Sequence, residues 1–183
     1  MVYIRLSHLG AFAVLLGALV GTAPGATVAT DPPFALTGGA PSIDALMDAF
    51  LQAIEKRDKE ALNALRLTKD EYQGIIVPGR VPPGSPPRKV SPIVDKYFWE
   101  TMDFKSGHYL DLLVERYGGV KLLRRELRFT KTADEPERYD WYRAWGEIRQ
   151  ATVDPDGAEV LVSTGWIAEV GGTYKFISFQ WDD

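Results

Sequence analysis

Residues 139–181 read YDWYRAWGEIRQATV (139–153), DPDG (154–157), AEVLVSTGWIAEV (158–170), GG (171–172) and TYKFISFQW (173–181). The three long runs carry aromatic and β-branched side chains at period 2, the pattern of β-strands. The two short pieces place proline and glycine where tight turns need them. Strands joined by such short turns pair antiparallel. The stretch therefore predicts three consecutive strands of a meander. Just upstream, 120–131 reads as a fourth strand and Thr132–Arg138 (TADEPER) as a polar loop.

Before Gly118-Gly119 the period is 3.6. Ser42 is a helix N-cap, and Ile43, Leu46, Met47, Phe50, Leu51 and Ile54 follow on one helical face. Asp58 caps a second short helix carrying Ala61, Leu62 and Leu65, and Thr68-Lys69-Asp70-Glu71 is a capping box opening a third turn or two. Pro78 to Pro92 holds six prolines with Arg80, Arg88 and Lys89, so it reads as a long loop: a lid admitting an anionic ligand, or a solvated excursion. Ser91-Pro92 starts the longest helix, with Val94, Phe98, Met102, Tyr109, Leu112 and Leu113 as its apolar stripe, a possible kink at Gly107 and an end at Tyr117. Helices first and strands afterwards predict an α+β domain, N-terminal helices packed against a curved antiparallel four-stranded sheet.

The first 29 residues read as a secretory signal peptide. Arg5 stands in a polar start, Leu9–Val20 (LGAFAVLLGALV) is a short apolar run, and Thr27-Val28-Ala29 fits small-residue cleavage. The run is shorter than the ~20 apolar residues of a membrane span. Cleavage near Ala29 predicts an exported protein, periplasmic or secreted, without a stable membrane anchor. Residues 30–41 (TDPPFALTGGAP) then read as a flexible lead-in and 42–183 as one domain.

Composition excludes several chemistries. The 183-residue chain has a net charge of −4, and removing Arg5 deepens the deficit, which disfavours nucleic acid as a partner. With no cysteine there is no disulfide framework, no thiol nucleophile, no thiolate metal site and no lipid-anchor cysteine. No phosphate loop, HExxH or GxSxG motif occurs, so no cofactor or metal is expected. Asp154-x-Asp156-Gly157 is a fragment of a calcium loop, but its proline–glycine context reads as a turn.

Three patterns resemble the nuclear transport factor 2-like superfamily: the opening helix pair from Leu46 to Leu62, the long helix ending Tyr117-Gly118-Gly119, and the closing hairpin with Tyr174 to Phe179. The resemblance implies a cone, a curved sheet around helices with an apolar pocket at its wide end. Members of that superfamily include isomerases, dehydratases, cyclases and non-catalytic binding domains, so the fold leaves the function open.

His108 is the single histidine after residue 29 and suits a general base near neutral pH, helped by Tyr97 or Asp103; the competing reading is a surface histidine. Strand alternation puts Tyr139, Trp141, Arg143, Trp145 and Glu147 on one face, and Tyr142, Ala144, Gly146 and Ile148 on the other. Trp166 and Trp181 extend the first face, which reads as a pocket mouth, as a surface for homodimerisation, or as core. The leading expectation is a binding protein for a small apolar or amphipathic molecule or a protein partner. The alternatives are a cofactor-free isomerase, dehydratase or cyclase using His108, and an accessory domain of an envelope assembly.

Overall fold

The computed structural model describes residues 35–129 and 135–180; the signal-peptide reading, Thr130 to Asp134 and Trp181 lie outside them. Among the described residues five helices precede five strands, and the sheet is antiparallel and strongly curled into a half-barrel. The fifth strand is a correction to the expected four. Glu137–Arg138, assigned above to the polar loop, forms β2 and pairs with Ala144 and Arg143.

Helix α1 (Ile43–Lys56) starts where Ser42 Oγ accepts from the Ala45 amide at 3.1 Å, and it buries Leu46, Met47, Phe50, Leu51 and Ile54 as the spacing requires. Arg57 closes it in the left-handed region (φ 55°) and donates to the Gly118 carbonyl at 2.9 Å, joining the ends of two helices. Asp58 caps α2 (Lys59–Ala64). Thr68 and Glu71 form the reciprocal capping box of α3 (Lys69–Glu71), which continues through a π-helical turn (Tyr72–Ile76) into α4 (Val77–Gly79). The helix therefore runs two residues into the expected loop. Pro78 has no N–H for the preceding turn and its ring crowds the carbonyl four residues back, which accounts for the widened pitch ahead of it.

Helix α5 (Pro92–Tyr117) is 26 residues long and opens on Pro92. Its buried residues are Trp99, Ser106, Leu110, Leu113 and Val114, whereas Val94 and Phe98 are exposed. The expected stripe is wrong for the first half of this helix, because that half flanks a cavity rather than the core.

Strands β1 (Leu123–Phe129), β3 (Arg143–Val153), β4 (Glu159–Val170) and β5 (Thr173–Ser178) lie in the order β1-β3-β4-β5. The Asp154–Gly157 turn is closed by Asp154 Oδ1, which accepts from the Asp156 and Ala158 amides, so its carboxylate serves the turn. Alternation along β5 feeds two cores. Tyr174 and Phe176 face α1, α2 and α5, where the rings of Phe50, Phe176 and Phe179 meet edge-on or tilted with centroids 5.1–5.9 Å apart. Ile177, on the opposite face, joins Leu67, Ile75, Ile76, Tyr142, Ala144 and Ala168.

The chain crosses between these faces at the outer edge of β5. Phe176 donates to the Leu65 carbonyl and accepts from the Leu67 amide, both at 2.8 Å, giving a parallel bridge at Arg66. Ala40 pairs with Tyr174 on the same edge, and Leu36 is buried in the second core. Residues 36–40 are thus built into the fold rather than flexible. Among the described residues no helix is long and apolar enough to cross a membrane.

Candidate functional site

A cavity of about 410 Å³ opens on the second-core side of the sheet. The π-helical turn and α4 supply Tyr72, Ile76 and Val77, the proline loop supplies Arg80, Arg88 and Val90, and α5 supplies Asp95, Phe98 and Met102. Glu137, Tyr139, Tyr142, Ala144, Trp166, Ile177 and Ser178 close the sheet side. The apolar members match a hydrocarbon or aromatic body; the phenols, guanidiniums and carboxylates give it polar handles.

The proline loop is held in place. Arg88 donates its amide to the Pro78 carbonyl at 2.8 Å, Asp140 donates its amide to Val81, and Asp140 Oδ1 accepts from the Gly84 amide at 2.7 Å. These bonds fix the ends of the loop close together and leave Arg80 and Arg88 against the cavity. Neither guanidinium forms an ion pair with a carboxylate among the described residues. Arg80 is instead engaged by the phenols: burial opposes its charge, and the oxygens of Tyr142 and Tyr139 outweigh that cost.

The three tyrosines stay protonated through a wide pH range. Burial raises the Tyr142 hydroxyl well above its ordinary value. Burial, then the Asp95 charge, raises Tyr72, while Arg80 and Arg88 act in the opposite sense. Burial, then the hydrogen bond to Glu137 at 2.5 Å, raises Tyr139. Tyr139 and Tyr142 stack at 4.7 Å. Asp95 Oδ1 is buried without a hydrogen-bond partner among the described residues, on the cavity wall. An acceptor left this way is costly unless a ligand or water donates to it.

A second cavity of about 440 Å³ adjoins the first and shares Tyr72, Phe98, Met102, Ser178 and Gln180 with it; Lys105, Ser106, Tyr109 and Phe179 line its far part. Ser106 is fully buried and its hydroxyl accepts from the Phe179 amide at 2.9 Å, which ties α5 to the end of the sheet at the far cavity.

The residues singled out from sequence scatter. His108 is exposed on α5 beside the Tyr109 ring and lines neither cavity. Tyr97 is 66% exposed beside Phe98. Asp103 is ion-paired with Arg66, whose guanidinium lies over Trp99. The geometry does not bring these three together at either cavity.

The expected aromatic face also divides. Trp166 lines the cavity. Trp145 packs on Tyr174 against the first core, and Arg143 is paired with Glu169 at 3.6 Å. Trp141 stands in the β2–β3 turn over Gly79, where an added Cβ would meet the Trp141 Cβ at 2.8 Å and its ring at 3.2 Å. A bulge between Trp145 and Ile148 shifts the parity of β3, so Ala144 and Ile148 serve opposite cores instead of one face. The side chain of Glu147 and Trp181 lie outside the described residues.

Sequence reasoning named Arg80 and Arg88 but missed Tyr72 and Asp95. The signal for Asp95 was its place in the first turn after Pro92, directly beside the arginine-bearing loop. Among the described residues no group of three His, Cys, Asp or Glu side chains is placed to hold a metal ion. Comparison with known proteins finds no family model, no curated protein and no solved structure that matches this chain.

Proposed function

We propose that this protein binds a small amphipathic molecule in the cavity between the proline loop, α5 and the sheet. One observation carries the reading: two arginines without carboxylate partners and an unsatisfied buried acceptor, Asp95 Oδ1, line a space whose other walls are mostly apolar or aromatic. Pockets of several hundred cubic ångströms with a few convergent polar groups are the usual form of small-molecule sites. The curled sheet and the helices-then-strands order also support the nuclear transport factor 2-like reading, and the N-terminal pattern supports export.

Binding of N-phenyl-1-naphthylamine, which brightens in apolar surroundings, tests the site. Trp166→Ala lowers that signal several-fold, and Trp145→Ala, outside the cavity, leaves it unchanged. Equal effects of the two variants, with both folded by circular dichroism, overturn the assignment.

A second reading, acid–base catalysis in the same cavity, is favoured by Asp95, which has an unpartnered oxygen and shares the cavity wall with the Tyr72 hydroxyl. It moves the candidate base from His108 to Asp95. Turnover of a bound carbonyl compound that survives Asp95→Asn removes this reading and leaves binding alone.

A further inference from the structure

The two adjoining cavities and the position of their charges define a ligand more narrowly. We infer that the site takes an elongated amphipathic monocarboxylate, its head held by Arg80 and Arg88 and its apolar body laid along α5 past Phe98 and Met102 towards Tyr109. This inference rests on the binding role proposed above and adds the ligand's charge, shape and direction.

Charge comes first. Arg80 and Arg88 line one cavity, both act on the Tyr72 hydroxyl, and neither has a carboxylate partner among the described residues. A guanidinium on a partly dry wall gains most from an oxyanion that accepts its forked N–H groups. Asp95 and Glu137 line the same space. Glu137 already accepts from the Tyr139 hydroxyl, and the Asp95 carboxylate repels each further negative charge, so a monoanion seated on the two guanidiniums costs less than a phosphate dianion. A cationic head seated at Arg80 and Arg88 is repelled by both guanidiniums.

Shape comes second. Phe98 and Met102 belong to the walls of both cavities, which sets the two spaces side by side along the helix. From Phe98 to Tyr109 the helix rises about 16 Å at 1.5 Å per residue. A compact aryl acid fills only the first chamber; an extended chain reaches the second. Exposure of Phe98 to 54% fits a side chain whose apolar partner is not part of this chain.

The test is isothermal calorimetry on the full chain with laurate, dodecanol, dodecyltrimethylammonium, hexanoate and 2-naphthoate. Laurate is expected to bind at least about tenfold more tightly than dodecanol, from charge-assisted hydrogen bonds to the head. Arg80→Gln with Arg88→Gln is expected to bring that ratio close to one while dodecanol binding persists. Lys105→Trp, on the wall of the far chamber alone, is expected to reduce the advantage of laurate over hexanoate and leave 2-naphthoate unchanged.

Equal binding of laurate and dodecanol overturns the anionic inference and leaves the binding role standing. Tighter binding of the trimethylammonium compound overturns it as well. Equal binding of hexanoate and laurate by the unmodified protein overturns the elongated shape. Failure of every amphiphile, together with no signal from N-phenyl-1-naphthylamine, overturns the binding role itself.

Discussion

The carboxylate of Glu71 and the ammonium of Lys175, 104 residues apart in the chain, meet at 2.9 Å with side-chain exposures of only 6% and 2%. Glu71 also accepts from the Thr37 amide at 2.6 Å and the Thr68 amide at 2.7 Å, and Lys175 donates to the Thr37 carbonyl at 3.1 Å. One pair thus holds the segment before α1, the cap of α3 and the middle of β5. The same β5 supplies Ile177 to the cavity wall.

Breaking that pair from one side is expected to be severe. Lys175→Met leaves a buried carboxylate without its cation and costs about 3–5 kcal/mol by urea unfolding. Adding Glu71→Gln removes the stranded charge and recovers part of the loss. A double variant no more stable than Lys175→Met shows that the amides, rather than the ammonium, carry the site.

Acid acts through the same carboxylate. Burial works to raise the Glu71 carboxyl, but the bonds from Thr68, Lys175 and Thr37 outweigh it and hold it below its ordinary value of 4.5. A group lowered in the folded state stabilises above its unfolded value, and the contribution disappears as pH falls through the lowered folded one. Unfolding free energy is therefore expected to drop on going from pH 6 to pH 3, and to drop less in Glu71→Gln. Parallel pH profiles for the two proteins contradict this assignment.

The cavity wall depends on a missing side chain. A Cβ at Gly146 would stand 2.7 Å from the Trp166 ring. Gly146→Ala forces that ring aside at a cost of about 1–3 kcal/mol, typical of overpacking. Because the ring lines the cavity, binding of N-phenyl-1-naphthylamine should weaken along with stability. Unaltered binding in a destabilised variant places the ring's displacement away from the cavity.

Gly165 sets the bend of β4. Its φ is +94°, and a Cβ there would lie 2.2 Å from the Ser178 carbonyl oxygen. Gly165→Ala combines backbone strain with a clash against backbone, and a loss of at least about 2 kcal/mol is expected. For a domain of this size that lowers Tm by at least about 4 °C, read by thermal denaturation. An unchanged Tm shows that β4 can relax there.

Much of the architecture was legible because its signals are local. Ser42, Asp58 and the Thr68–Glu71 box each cap the helix their spacing announces, and Asp154–Gly157 and Gly171-Gly172 turn the chain between antiparallel strands. Other features depend on partners remote in sequence. The bulge after Trp145 undoes simple alternation, and only the opposing strand reveals it. The first half of α5 carries apolar residues on more than one side, so its spacing could not separate core from cavity wall. His108 drew attention by chemical type, whereas the cavity gathers arginines and phenols from three separate segments.

The edge of β5 has a consequence for self-association. A sheet edge with free amides and carbonyls is a template for another chain. Here Ala40 and Leu65–Leu67 occupy that edge of β5. At the opposite margin, β1 carries Arg124, Arg125, Glu126 and Arg128, and Arg124 is ion-paired with Asp44 and Asp48. One border is already filled and the other is guarded by charge. Both features disfavour continuation of the hydrogen-bond ladder from one copy of this chain into another at these two borders.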